Sequence, residues 1–494
     1  MPVESKHPDF AAVEKDYQLI ADCLAGQRAI KKKRTEYLPK PNKSDASAEN
    51  SARYEAYLQR AIFHGATART QGNLVGQCFA IDPVATIPDA MQPWLNDVDG
   101  GGVSAIQQSK KALGFVTGFS RAFLWVDYPR TNGAVSIAEM EAQNIRPKLI
   151  LCGPEDVINW RVESEGAKTK LALVVIRERV VSSDDGFEAK LETQYRVLKL
   201  VGGVYVQEIY RKDAAPLERI TPQNGKGEPF NYIPGVFIGA ESNSPDVEKP
   251  LLLDIANLNL AHYRNSADYE ELTFMLGQPT PYITGLSDAW IERQMKGQIM
   301  LGSRACIPLP EGGSAGLLQI APNPEPKAAM EQKEALMMAL GAKLVEKRQV
   351  QQTATEAGIS EASESSILAS CCKNVSAAYA FAFRAAADFA NIEVADPDKE
   401  ILFELNTDFA IARMTPEEAQ GVLSLYQANL ITFEEARDKL KTGGWAYLDD
   451  EDAKDQLDQQ AQDDFAKAQA ELKAQTDQQM RLQQQKQQQP APTV

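Results

Sequence analysis

Gly312-Gly313-Ser314-Ala315-Gly316 has the G-x-S-x-G spacing of a nucleophile elbow, in which a sharp strand-to-helix turn presents a serine hydroxyl to a histidine base. The flanking residues argue for something else. Pro308 and Pro310 precede the motif, and the run Leu317 to Ala321, ended by Pro322, follows it. A turn between two strands is therefore expected, not a strand feeding a helix. His7, His64 and His262 are the only histidines, which leaves little for a triad or a zinc site. Six cysteines (Cys23, Cys78, Cys152, Cys306, Cys371, Cys372) show no C-x-x-C spacing, so reduced thiols and no metal framework are expected. Cys371 and Cys372 fall on or beside an apolar helical stripe, where small buried thiols are common. Gly225-Lys226 lacks the earlier glycine and the following Ser or Thr of a phosphate-binding loop. Lys31, Lys32, Lys33 and Arg34 stand in a stretch, Arg28 to Lys43, with seven basic residues against Glu36 alone. Two readings of it stay open: a solvated loop, or a contact with a phosphate backbone or an acidic partner. No catalytic constellation and no cofactor site emerge, and the chain is not expected to be an enzyme.

The elements that could position a binding surface are more informative. Pro326 to about Arg348 reads as one amphipathic helix, opened by a proline whose missing N–H costs nothing in a first turn, with Met330, Met337, Leu340 and Leu344 on one stripe. A second long helix begins near Ser360 or Ser363, with Glu361 and Glu364 at the positive end of its dipole, and runs to Asn391. Its stripe is Leu368, Cys371, Val375, Ala378, Tyr379, Ala382, Ala386 and Phe389, and nine alanines between Ala369 and Ala390 let neighbours come close on more than one side. Arg384 and Asp388 argue against a membrane span. The connector Glu346 to Ser363 is polar, and a connector of that length between long helices is either functional or disordered. A third long helix spans Pro250 to Leu276. Between it and Pro326 lies a compact insert with strands at Tyr282–Thr284, Ala305–Leu309 and Leu317–Ala321 and a helix from Ser287 to Lys296.

Earlier in the chain, helices are expected at Phe10–Gly26, Ser51–Val75 and Val103–Leu113, with a strand at Cys78–Ile81 and a buried strand in Phe119–Tyr128. From Lys148 to Phe237 the period shortens to β-branched runs parted by Gly, Asp and Ser, the mark of an antiparallel or mixed sheet packed with helices, an α+β body. Glu400–Leu405 returns as a strand. Pro416–Ala428 and Phe433–Leu440 follow as short helices whose Glu417, Glu418, Glu434 and Glu435 are acidic where a helix-turn-helix would need cations.

At 494 residues, two to four domains are expected, and 44% apolar with 24% charged residues is ordinary for a globular chain. The formal charge of −16 argues against a broad basic face for sequence-specific nucleic-acid binding. Residues 449–494 contribute −5 of it and hold 14 glutamines, which predicts a disordered or partly helical tail. No leader pattern and no long uncharged apolar run are present, so neither secretion nor membrane spanning is expected.

Three stretches, YEAYLQRAIFHGATARTQGNLVGQCF (Tyr54 to Phe79), DIANLNLAHYRNSADYE (Asp254 to Glu270) and QTATEAGISEASE (Gln352 to Glu364), resemble, in that order, one family of portal proteins of tailed bacteriophages. The likeness covers roughly Gln18 to Leu448. It implies a portal-type α+β fold: a mixed α/β wing (residues 1–249), a stem of two helices (250–276 and 326–345), a small β-rich clip (277–325), a tunnel loop (346–358), a long wing helix with a returning strand (359–413) and a short helical crown (414–448). It implies a dodecameric ring at the capsid vertex, made in the host cytoplasm and carried in the virion, with double-stranded DNA passing through it. The implied partners are the major capsid protein, the large terminase and a head–tail adaptor. Lys347, Arg348, Gln349, Gln351, Gln352, Thr353, Thr355 and Glu356 would face DNA. Leu368, Val375, Ala378, Ala382 and Ala386 of the long helix would meet the next subunit. Trp290, Glu292 and Arg293 would lie on the docking surface of the clip. The alternatives are a hydrolase using Ser314, and a helical assembly or scaffold protein that conducts no DNA.

Overall fold

A computed structural model describes residues 2–128, 145–166, 168–211, 215–278, 280–295, 309, 311–319, 321–345, 366–407, 409, 416–428 and 430–442, with 446, 453, 454, 456 and 459. The chain divides into two compact units, residues 1–407 and 408–494. No helix among the described residues is long and apolar enough to cross a membrane.

The first unit starts with a helical layer: α1 (Pro8–Ala25), α2 (Gln27–Lys32), α3 (Ala48–Arg60) and α4 (Ala66–Cys78). Gly26, at φ +84°, makes the bend between α1 and α2 that a residue with a Cβ would resist. The basic stretch is helical over α2 and again over Arg34–Glu36, and Lys31, Lys33 and Arg34 are engaged. Lys31 donates to the Gln59 carbonyl (2.9 Å), Lys33 lies 3.3 Å from Asp22, and Arg34 pairs with Glu55.

The helix expected over Ser51–Val75 is two helices. Ala61 leaves helical geometry (φ −53°, ψ 135°), and the break down to Gly65 exposes backbone groups that later side chains satisfy. Ser266 accepts from the Ile62 N–H (2.8 Å) and donates to its carbonyl (2.7 Å), and Gln27 accepts from Phe63 N–H (3.2 Å). A local pattern of apolar spacing carries no trace of partners two hundred residues away. The strand expected at Cys78–Ile81 is the end of α4 and a bend; β1 (Val84–Thr86) comes just after Pro83 and pairs antiparallel with the returning strand, Leu402–Glu404.

α5 (Ala105–Phe119) opens with a capping box, Ser104 bonding the Gln107 N–H while the Gln107 side chain bonds back, and it ends at Ser120 in the left-handed region. It delivers the chain into β2 (Arg121–Asp127), buried over its first six residues. β2 is the centre of an antiparallel sheet between β3 (Lys148–Cys152) and β9 (Gly235–Gly239). A second antiparallel sheet is a meander of β4 (Val157–Glu165), β5 (Lys168–Asp184), β6 (Ala189–Val201), β7 (Val204–Arg211) and β8 (Glu218–Ile220). The two sheets meet where the Arg121 guanidinium lies between the Trp160 ring (4.1 Å) and the Phe237 ring (4.2 Å).

Three long helices complete the unit: α6 (Leu253–Leu276), α7 (Glu325–Lys343) and α8 (Ile367–Ala390). Between α6 and α7 sits a hairpin of β10 (Thr280–Thr284) and β11 (Ser314–Leu318). After β10 come one helical turn, Asp288–Trp290, and a π turn, Ile291–Met295, in place of the expected longer helix. The expected strand Ala305–Leu309 lies outside the described residues apart from Leu309. α8 is capped by Ser366, whose hydroxyl accepts from the Ala369 N–H (3.2 Å), so neither Ser360 nor Ser363 is its N-cap. It ends at Asn391 in the left-handed region (φ 54°). The returning strand, β12, is Leu402–Glu404.

The second unit holds α9 (Pro416–Gln427) and α10 (Phe433–Thr442), with the Tyr426 and Phe433 rings in edge contact. Thr432 and Glu435 form a capping box on α10.

Candidate functional site

Antiparallel α6 and α7 form a two-helix stalk. His262 Nε2 lies 3.0 Å from Glu334 near its base, and Gln319, just past β11, reaches the Leu276 carbonyl (3.5 Å) at its far end. The base is fastened to the helical layer by polar side chains. Asn259, fully buried, accepts from both the N–H (3.1 Å) and hydroxyl (2.9 Å) of Thr67 and donates to the His64 carbonyl. Gly65 precedes α4 without a side chain to cap it, so a side chain from another helix does the capping. Tyr57 donates to Asp268 (2.6 Å), Arg60 pairs with Glu271, and the Arg60 guanidinium lies 4.2 Å from the centre of the Phe274 ring. On α7, Gly341 lets the helix approach α4, since a Cβ there would stand 3.2 Å from Thr70 Cγ2.

Beyond that base the stalk packs little but itself. The last buried residue of α6 is Ala267, and Met337 is the one buried residue within α7. The hairpin at the far end carries apolar residues on both faces: Leu317, paired with Pro281, is 63% exposed, and Leu318, paired with Thr280, is 69% exposed. Met338 on α7 is 76% exposed, whereas Phe274, with Arg60 on its ring, is 43% exposed. A two-stranded sheet has no second layer of its own to cover such residues.

α7 and α8 meet at one point. The Leu368 N–H donates to the Leu344 carbonyl (3.2 Å), which brings the end of α7 beside the start of α8. The residues expected to face DNA (Lys347, Arg348, Gln349, Gln351, Gln352, Thr353, Thr355 and Glu356) belong to the intervening segment and lie outside the described residues. Trp290 is half-buried, and Glu292 and Arg293 are exposed on the π turn beside the hairpin.

The expected subunit contact on the long helix needs correction. Leu368, Val375, Ala378, Ala382 and Ala386 are all 2% exposed or less within the single chain, against the β2 sheet, α5 and β12. A side chain already buried in its own subunit has no surface to offer a second one.

Ser314 does not stand on a nucleophile elbow. It opens β11 after the Gly312-Gly313 turn, and its hydroxyl lies 2.8 Å from that of Thr284 across the exposed hairpin. The histidines are engaged elsewhere: His7 stacks on Trp160, and the His64 and His262 rings are 5.6 Å apart beside α6. Burial holds His262 below its usual pKa, opposed by its hydrogen bond to Glu334. Among the described residues no three His, Cys, Asp or Glu side chains are grouped to hold a metal. A cleft of about 720 Å³ beside β3 and β5 gathers Glu14, Glu155, Asp156 and Glu178 with Arg177 and Arg179. Burial raises the pKa of both Glu155 and Asp156, with Arg177 opposing. A second cleft, of about 950 Å³, runs over β4 to β7 beside His7 and Trp160. Ser5 and His7 both line the second cleft, but the Ser5 hydroxyl donates to the Pro2 carbonyl (2.8 Å). The cysteines are free thiols among the described residues, and Cys372 donates to Cys78 across 3.1 Å; that bond and burial both push the Cys372 thiol pKa upward. Composition alone carried no signal that these two sulfurs meet.

A family model described as "Domain of unknown function (DUF4055)" matches residues 250–390, the span from the turn before α6 to the end of α8. No curated protein matches the chain. Among solved structures, a chain of "Neck of native GTA particle computed with C12 symmetry" is similar at 13% identity and a TM-score of 0.38, over 76% of this chain and 89% of that one. A chain of "Neck of empty GTA particle computed with C6 symmetry" is similar at 13% identity and a TM-score of 0.37, over 78% and 91%.

Proposed function

We propose that this chain is the subunit of a phage portal, a dodecameric ring at one capsid vertex through which double-stranded DNA is packaged and later ejected. The reading rests on the three sequence stretches that resemble portal proteins and on the order of parts: wing sheets, stalk, hairpin, second stalk helix, connector, long helix, returning strand and helical end. The observation that carries it is the stalk, whose Leu317, Leu318 and Met338 are left uncovered by the single chain. In a ring each copy's exposed residues would be covered by a complementary, different surface of the next copy, without a foreign partner.

Charge fits a conduit better than a binder. A formal charge of −16 gives the chain no net attraction for phosphates, so on this reading a duplex slides without the salt-dependent grip of a basic channel. Residues 346–358 carry Lys347 and Arg348 as their only cations, beside glutamine, threonine, alanine and glutamate. Such a set tolerates any base sequence, as a conduit must. On this reading the hairpin region with Trp290, Glu292 and Arg293 is the docking surface for the packaging motor and then for the adaptor. The protein performs no catalysis of its own.

Negative-stain microscopy and mass photometry of the purified full-length chain test the proposal. Rings with a central hole and a mass of about twelve times 54.3 kDa are the expected result. A monomer at micromolar concentration, or a filament with no axial hole, overturns it.

A further inference from the structure

Cys78 is the last residue of α4 and Cys372 lies near the start of α8, 294 positions later, yet their sulfurs are 3.1 Å apart and both side chains are fully buried. The hydrogen bonds order the pair. Cys372 donates to the Cys78 sulfur, and Cys78 in turn donates to the Leu74 carbonyl (3.3 Å). Cys371, the next residue of α8, is also buried but has no sulfur partner among the described residues.

We propose that Cys78 and Cys372 are an oxidation site: hydrogen peroxide converts them to a disulfide that ties the helical layer to the long central helix. The steps balance. The Cys78 thiol gives up its proton and attacks one peroxide oxygen; the O–O bond breaks, Cys78 becomes a sulfenic acid, and the other oxygen leaves as water. The Cys372 sulfur then attacks the Cys78 sulfur, the S–S bond forms as the S–O bond breaks, and the hydroxyl leaves with the Cys372 proton as a second water. Two thiols lose two electrons and the peroxide gains them. Burial restricts the oxidant to a small molecule and favours the neighbouring thiol over bulk reductants as the resolving group.

The test uses the full-length chain purified under reducing conditions, then treated with hydrogen peroxide a few degrees below its melting transition. The protein is denatured in an alkylating reagent, digested and analysed by mass spectrometry. The expected product is a linked peptide joining Cys78 to Cys372, lighter by two hydrogens than its parts, with a melting temperature several degrees higher that dithiothreitol restores. Cys371→Ser keeps the linked peptide, whereas Cys78→Ser and Cys372→Ser each abolish it. Recovery of both cysteines as alkylated free thiols, pairing of either with Cys371, or sulfinic acid in place of the link overturns the proposal. Because the wild-type chain carries the decisive measurement, a variant that folds poorly cannot rescue the idea.

Discussion

Replacing Asn259 by leucine removes the side chain that caps α4 from a distance. In the native chain its Oδ1 accepts from the Thr67 N–H and hydroxyl, both buried, and its amide donates to the part-buried His64 carbonyl. The three contacts are not equal in consequence. The His64 carbonyl keeps a second donor, the Ala66 N–H at 2.8 Å, and the Thr67 hydroxyl keeps the Cys23 thiol as a partner. The Thr67 N–H keeps nothing, because it lies in the first turn of α4 and Gly65 has no side chain to replace the lost acceptor. One orphaned buried donor costs about 1–3 kcal/mol, and losing one of two partners at the other groups adds about 0.5–1.5 kcal/mol each, less the apolar gain of leucine. The expected loss is about 2–4 kcal/mol, a large share of the roughly 5–15 kcal/mol that holds a typical domain folded. Urea unfolding followed by tryptophan fluorescence, at one fixed protein concentration, should give a lower midpoint with an unchanged slope. Thr67→Val, which keeps the N–H contact, should lose only about 1 kcal/mol. If Asn259→Leu unfolds within about 0.5 kcal/mol of the parent, the scale of an ordinary surface change, capping in trans is not what holds the stalk to the layer.

Leu318→Asp changes a residue 69% exposed at the stalk tip, so it should leave a folded chain that no longer closes into rings; mass photometry showing intact rings would contradict the assignment of that surface. Ala382→Glu, by contrast, buries a charge in the single chain and should give insoluble or unfolded protein, not folded monomers. For His262, the folded pKa lies below the unfolded value of about 6.5, so the unfolded chain binds the proton first and stability falls as pH drops below about 6.5 towards the folded pKa. His262→Gln should flatten that acid slope in pH-dependent melting, and an unchanged slope would show that the histidine does not set it. Ser314→Ala should alter neither ring formation nor turnover of a generic ester, and loss of a measurable esterase activity would restore the hydrolase reading.

Where the fold was legible, the residues concerned answer to their own neighbourhood. β4 to β7 were readable as β-branched runs because Gly, Asp and Ser turns part them, and β2 because a run of six buried residues has little else to be. The stalk helices followed from apolar spacing, but the pairing of Thr280–Thr284 with Ser314–Leu318 did not: spacing places a strand at Ala305–Leu309 before the turn at Gly312–Gly316, whereas β11 begins inside that turn, at Ser314. What stayed hidden depends on distant partners. Ile62, Phe63 and Thr67 sit in a helical pattern that breaks because Ser266, Gln27 and Asn259 take over its backbone groups. The Lys31–Arg34 cluster looked free because Gln59, Asp22 and Glu55, which engage it, come from neighbouring helices. The meeting of Cys78 with Cys372 is likewise a product of packing, invisible in spacing.

The alanines of α8 show how a correct local reading can carry a wrong inference. Alanine lets neighbours approach a helix closely, and the sequence required company on more than one side; the neighbours, however, are this chain's own elements. Fourteen of the 24 residues are buried, more than the single stripe of a surface helix supplies. On one side Tyr379 and Phe383 stack with Phe403 of β12, and Tyr379 reaches Gln108 of α5 (3.0 Å). Elsewhere around the helix Asn374 donates to the Gly239 carbonyl at the end of β9 (3.0 Å), Phe389 packs on Phe230 and Tyr128, and Cys372 meets Cys78. A helix so enclosed is the axis of the subunit's core. Alanine richness therefore measures how many layers press on α8, and it says nothing about oligomerisation. The surface proposed to close the ring is made of residues the core leaves out, Leu317, Leu318 and Met338, which a count of small residues would never have selected.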